Sequence, residues 1–305
     1  MTQEHLFNGS RVFSLAAAGG KTRADIVPGL GGIVSSLHLP DPTGKPRECL
    51  FQYPGFWDRD TEELRGGIPP LFPICGRLLK DGVRGLYHVD GQPYVLPIHG
   101  FSMRFPWDVV EAQAPDALRL SLVDSPATRK IYPFPFELDL LYSVAAEGFT
   151  SRLTVRNTGD APMPFYAGFH PYFATPPPGA GKEQTFFDLQ PVARHLYNST
   201  KTDLVATAPV PPLPMSVADV DINELLLEVR NPCETRLVWP DGFTLVQRAS
   251  PALRYRQFYT LPDQPFFCDE PWMAPPGSMN RPGAAPLLPP GASETCTVHI
   301  ASARA

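Results

Sequence analysis

Proline is the residue that most limits what this chain can become. It occupies 38 of 305 positions, more than twice the usual share of about 5%. Each proline removes a backbone N–H and breaks the interior of a helix or of a central strand. A mostly helical architecture is therefore excluded, and short extended segments joined by turns are favoured. Glycine adds 24 more positions that punctuate the chain. Disorder is not the alternative, because hydrophobic residues make up 43% and charged residues 19%, enough apolar material for a sizeable core.

The hydrophobic pattern agrees. Short two-fold alternation marks strands at 11–15, 33–37, 107–110, 118–122 and 150–157, and again at 225–229, 235–239, 243–247 and 295–300. Asp90-Gly91 separates 86–89 from 92–95, a two-residue hairpin signal, and Asp241-Gly242 stands before Phe243 in the same way. One short helix is expected at 125–129, with Ser125 as N-cap and Pro126 at the first helical position, ended by Pro133 and Pro135. Many short strands spaced by turn residues predict an all-β protein, a large antiparallel β-sandwich or a barrel. Proline-rich stretches at 176–178, 209–214 and 286–290 read as surface loops, and no compositional break divides residues 1–305 into more than a single domain.

Charge and cysteine usage exclude several functions. A net charge of -5 argues against nucleic acid as a partner, which needs a basic face. No apolar run approaches the ~18 residues that span a bilayer, and the N-terminus lacks the basic region of a signal peptide. A cytoplasmic location is expected. The five cysteines at 49, 75, 233, 268 and 296 form no Cys-x-x-Cys, so neither a disulfide framework nor a zinc site has the right spacing. They are expected to be reduced, buried hydrophobes. No nucleotide-binding loop is present, so no cofactor is expected. The chain gives no signal to choose between a monomer and a homodimer.

Three segments concentrate unusual residues. The first is 65–78, from Arg65-Gly66-Gly67-Ile68-Pro69 to Cys75-Gly76-Arg77-Leu78, leading through the hairpin into His99-Gly100-Phe101. The second is Gly168-Phe169-His170-Pro171-Tyr172-Phe173 and the third is Cys268-Asp269-Glu270-Pro271-Trp272. Each sets a titratable residue at the end of an apolar strand beside Gly or Pro, where a scaffold hands a side chain to a cleft. His99 and His170 could each be a satisfied core histidine. Glu270 needs a partner or a strand end, since an unpaired buried charge is costly. Two histidines and a glutamate could also bind a metal, but the usual spacing on one helix is absent, and acid–base work is the preferred reading.

Taken in order, these pieces resemble the aldose 1-epimerase (galactose mutarotase) family. The matching motifs are Gly-Gly-Ile-Pro with Phe-Pro-Ile-Cys-Gly-Arg-Leu, then His-Gly-Phe and Pro-Trp at 99–107, Thr128-Arg129 with Tyr132-Pro133-Phe134, Gly-Phe-His-Pro-Tyr-Phe at 168–173 and Cys-x-Glu-Pro-Trp at 268–272. They span most of the chain. The resemblance implies the family's β-sandwich, a sugar cleft on one face and cofactor-free interconversion of the α and β anomers of a free aldohexose such as glucose or galactose. It implies His170 as general acid, Glu270 as general base and His99 as a group that binds and polarises the sugar near its ring oxygen. An unperturbed carboxylate (about 4.3) and imidazole (about 6.5) suit that proton traffic near neutral pH.

Weaker candidates accompany them. Arg77 and Arg65 could hydrogen-bond sugar hydroxyls or form surface ion pairs. Asp221 is aligned with the family's sugar-binding Asp before a strand, with Asp219 competing. Trp272 and Phe169 could stack on a pyranose, whereas Tyr172 and Phe173 are assigned to the core. A hexose-6-phosphate 1-epimerase is the alternative. Its arginine after His-Gly-Phe is replaced at the aligned place by Met103, and Arg104, one step along a strand, would point away. A non-catalytic sugar-binding protein is the third reading, since fold alone does not give function.

Overall fold

The computed structural model describes residues 2–58, 66–112, 114–230 and 232–303. Two large antiparallel sheets dominate among these residues. The first has nine strands, in the order Asp108–Glu111, Ala117–Val123, Phe136–Ala145, Gly148–Asn157, Ser293–Ser302, Thr244–Ala249, Glu234–Val238, Phe186–Asp188 and Met215–Ser216. The second runs Leu204–Ala208, Pro191–Tyr197, Leu225–Val229, Tyr255–Tyr259, Phe266–Trp272, Gly168–Phe169 and Pro70–Leu71, with Tyr172–Ala174 also paired to Phe266–Trp272. A five-stranded meander from Gln3–Phe7 to Pro46–Glu48 completes the framework.

Alternation explains the first sheet. In Phe136–Ala145 every second residue is buried, from Phe136 through Leu138, Leu140 and Tyr142 to Val144. Side chains on a strand point to opposite faces in turn, so one face goes to the core and the other to water. Phe187 from this sheet meets Phe258 and Phe267 of the second sheet at ring distances of 4.8 and 4.9 Å. One continuous hydrophobic cluster fills the space between. Each fully buried aromatic in it contributes about 1.5–3 kcal/mol.

The expected strands are present with ends shifted by a few residues, and the hairpin Leu86–Val89 with Gln92–Val95 has the expected bounds. The helix forms at Pro126–Arg129. Ser125 accepts from the Thr128 N–H at 3.3 Å, and Thr128 Oγ1 accepts from the Ser125 N–H at 2.8 Å, a reciprocal cap. The periodicity did not single out Phe136–Ala145, where Leu140-Leu141 places two apolar residues side by side and blurs the period of two. All five cysteines are buried free thiols. No helix among the described residues is long and apolar enough to cross a membrane.

Phe266–Trp272 differs from the outer strands because all seven of its residues are buried. It lies inside the second sheet and is covered on both faces. Phe267 and Asp269 point toward the first sheet. There Gln247 Nε2 donates to Asp269 Oδ2 at 2.7 Å, and Arg256 Nη1 lies 3.5 Å from the same oxygen. Glu270 and Trp272 therefore point the other way, into a cleft.

Candidate active site

The cleft has a volume of about 220 Å³. A larger hollow of about 480 Å³ lies near Cys233, but chemistry rather than size separates them. His99, His170 and Glu270 all line the smaller one, and each aims an atom into a region where the three lie within 4.8 Å of one another. His170 Nε2 stands 3.3 Å from Glu270 Oε2, with both side chains almost wholly buried. Three segments separated by up to 171 positions thus converge as the sequence reading expects.

Local backbone explains two of the three motifs. His99 and Gly100 both adopt the left-handed conformation, with φ of +61 and +72. A Cβ on Gly100 would come within 2.2 Å of the Phe72 carbonyl oxygen, so only glycine fits there. The N–H groups of Phe101 and Ser102 donate to that same carbonyl. His99 is thereby turned out of the chain path into the cleft, between His170 and Trp272 at ring distances of 5.1 and 5.7 Å. His170 stacks flat on Tyr172 at 4.5 Å, and its backbone N–H donates to the Pro69 carbonyl, which ties the Gly-Gly-Ile-Pro segment to the site.

Burial sets the electrostatics. Loss of hydration pushes the Glu270 carboxyl well above its usual range, and the nearby Glu224 charge adds to that while Arg77 opposes it. Loss of hydration pushes the His99 imidazole well below its usual value, with His170, Arg77 and Arg104 adding positive neighbours. A raised carboxylate is a stronger base for a hydroxyl proton, and a depressed imidazole stays neutral at physiological pH.

Arg65 lies outside the described residues, so its expectation is neither met nor overturned. Other sequence expectations need correction. Asp221 and Asp219 are not in the cleft. Val220–Ile222 forms a 3₁₀ turn, Asp219 Oδ1 caps it by accepting from the Asp221 N–H at 2.9 Å, and both acids face a separate hollow beside the 211–214 prolines. The acid that enters the cleft is Glu224, directly before the Leu225–Val229 strand, with a left-handed φ of +64. The sequence signal was its place at the strand boundary. The turn had used up the earlier acids.

Arg77 combines the two readings given for it: it lines the cleft and donates to Glu224 Oε1 at 3.1 Å. Lys201 and Gln257 also reach the Glu224 carboxylate, at 3.4 and 3.5 Å. Tyr172 lines the cleft rather than only packing in the core, and Phe169 is fully buried in the main cluster and does not reach the cleft, whereas Trp272 does. Arg104 also lines it, together with Met103. The strand geometry expected there is replaced by a 3₁₀ turn, Ser102–Arg104, so adjacent residues no longer alternate across a sheet.

Comparison with known proteins gives these features a setting. A family model described as Aldose 1-epimerase matches residues 14–205. Protein LacX of Lactococcus lactis subsp. lactis is 27% identical over 124 residues, 39% of this chain and 40% of that protein. The match therefore spans less than half the length of that relative. The Slr1438 protein of Synechocystis sp. PCC 6803 has a similar structure, with a TM-score of 0.80 at 25% identity over 100% of this chain and 98% of that one. A galactose mutarotase related enzyme from Lactobacillus acidophilus gives a TM-score of 0.79 at 21% identity over 99% and 97%, a likeness of fold.

Proposed function

Because the chain belongs to the aldose 1-epimerase family, we propose that its cleft interconverts the α and β anomers of a free aldohexose. The observation that carries this reading is the 3.3 Å approach of His170 Nε2 to Glu270 Oε2 on the cleft wall. Anomerisation needs a base at the C1 hydroxyl and an acid at the ring oxygen, two atoms bonded to the same carbon. Two groups this close can serve both.

In the proposed sequence Glu270 takes the C1 hydroxyl proton. The C1–O bond to the ring oxygen breaks as the C1 carbonyl forms, and the ring oxygen receives a proton from His170. Rotation about C1–C2 presents the other face of the aldehyde. Reclosure returns a proton from Glu270 to the carbonyl oxygen and one from the ring hydroxyl to His170. His99 would hold the ring oxygen side, and Arg77 and Glu224 the outer hydroxyls. Neither hydride nor covalent intermediate is needed. Polarimetry on freshly dissolved α-glucose or α-galactose tests this: the protein should speed the change in rotation, and a mere sugar binder would leave the rate unaltered.

The position of Arg104 favours a second reading, a sugar carrying a phosphate, because a guanidinium suits that group. If the substrate is phosphorylated, Arg104→Met should lower kcat/KM on hexose 6-phosphates by about tenfold or more and leave free hexoses nearly unchanged. Equal effects on both would remove this alternative.

Glu224 gives a sharper check on the site. Glu224→Gln is expected to raise KM by about tenfold through the loss of a charge-assisted hydrogen bond, while Asp221→Asn, on a different surface, should change neither kcat nor KM. Steady-state kinetics of the two variants distinguishes the acid in the cleft from the one the sequence reading preferred.

A further inference from the structure

Gly76 and His99 hold each other through two hydrogen bonds. The Gly76 N–H donates to Nδ1 of the His99 ring at 3.1 Å, and the His99 N–H donates to the Gly76 carbonyl at 2.9 Å. A donor aimed at Nδ1 needs a lone pair there, so the proton of the neutral ring sits on Nε2. Both residues are left-handed, with φ of +74 and +61, which is uncommon and strained for a histidine. A Cβ on Gly76 would lie 2.7 Å from the Pro276 ring, so the position accepts glycine alone. Nothing about this pair follows from the motif spacing.

We propose that Gly76 is a positioning residue: its backbone N–H locks His99 in the Nε2–H tautomer, which makes His99 a fixed hydrogen-bond donor in the cleft and denies the His99, His170 and Glu270 cluster its third metal-binding lone pair. The donor role rests on the sugar-binding reading above; the tautomer and the metal refusal do not.

The cluster has the donor set of a zinc centre. Zinc bonds of about 2.0–2.1 Å in a tetrahedral site place ligand atoms about 3.3 Å apart, and His170 Nε2 and Glu270 Oε2 stand at 3.3 Å. The ligand missing is a free lone pair on His99. At Nδ1 it faces the Gly76 N–H, and at Nε2 a proton occupies it. Inverting the tautomer would set the Nδ1 proton against the Gly76 proton. The same backbone group thus supplies a donor for a sugar oxygen and keeps a competing cation out.

Imidazole nitrogen NMR on the protein labelled with ¹⁵N-histidine tests the tautomer, with His99→Gln used to assign the signals. The expected pattern is an unprotonated Nδ1 and a protonated Nε2 for His99, unchanged when equimolar Zn²⁺ is added. A protonated Nδ1, or stoichiometric Zn²⁺ binding that perturbs the His99 ring, would overturn the proposal. In polarimetry, His99→Gln keeps a donor and is expected to stay within about tenfold of wild type. His99→Met lacks one and is expected to fall about a hundredfold; equal losses would overturn the donor role. The NMR result does not depend on turnover, so it stands or falls apart from the proposed function.

Discussion

Replacing Glu270 with Gln is expected to slow anomerisation by about 10²–10⁴-fold, the usual worth of one proton-transfer group, in a protein that remains folded. The substitution keeps the shape of a fully buried side chain and removes only its ability to take a proton. Wild-type activity should also fall on the acid side as the carboxylate becomes protonated. Because burial raises this carboxyl, that fall should lie above the ordinary carboxylate range, and the variant should lack it.

The same shift makes a stability statement of opposite sign. A carboxyl with a raised folded-state pKa holds its proton more tightly when folded. Its favourable contribution is complete below the unfolded pKa and is lost as pH rises through the folded value. Glu270→Gln should therefore be at least as stable as wild type at neutral pH and lose that advantage in acid. Chemical denaturation at two pH values, read beside polarimetry, checks both. Wild-type turnover by the variant would end the role given to Glu270.

Asp269→Ala is expected to destabilise the protein by about 3–5 kcal/mol. Asp269 is 1% exposed and faces Arg256, which is 0% exposed, between the two sheets. Removing the carboxylate leaves a guanidinium in the core, and a guanidinium cannot shed its proton. Arg256→Met should cost less. Burial already pushes the Asp269 carboxyl up, against the opposing influence of Arg256, Thr235 and Gln247, so the aspartate can take a proton and become neutral. The order of the two denaturation midpoints is the test, and a loss below about 1 kcal/mol for Asp269→Ala would show that the pair contributes little. Neighbours in sequence thus have separate duties: Asp269 points between the sheets and Glu270 into the cleft.

That division follows from strand alternation, a local rule. The family motif singled out Glu270 for the cleft, but alternation alone could not, because Phe266–Trp272 carries one acid on each face and is buried on both. The case of Arg104 is similar. The residues were legible, but whether they formed a strand or a 3₁₀ turn depended on the packing of Ser102, whose hydroxyl donates to the Pro70 carbonyl at 2.7 Å. Asp221 was the expected acid, but the turn at Val220–Ile222 faces it to a separate hollow, and Glu224, at the strand boundary the sequence already marked, enters the cleft instead.

By itself the amino-acid order determined the all-β architecture, the capped helical turn and the hairpin at Asp90-Gly91, since each is written in neighbouring residues, and its ordered motifs pointed to His99, His170 and Glu270 as the site candidates. Only the tertiary structure decided which acid joins Arg77, where Arg104 points and which nitrogen of His99 carries the proton. Those outcomes depend on groups more than twenty positions apart in the chain meeting in space, and local periodicity carries no record of such meetings.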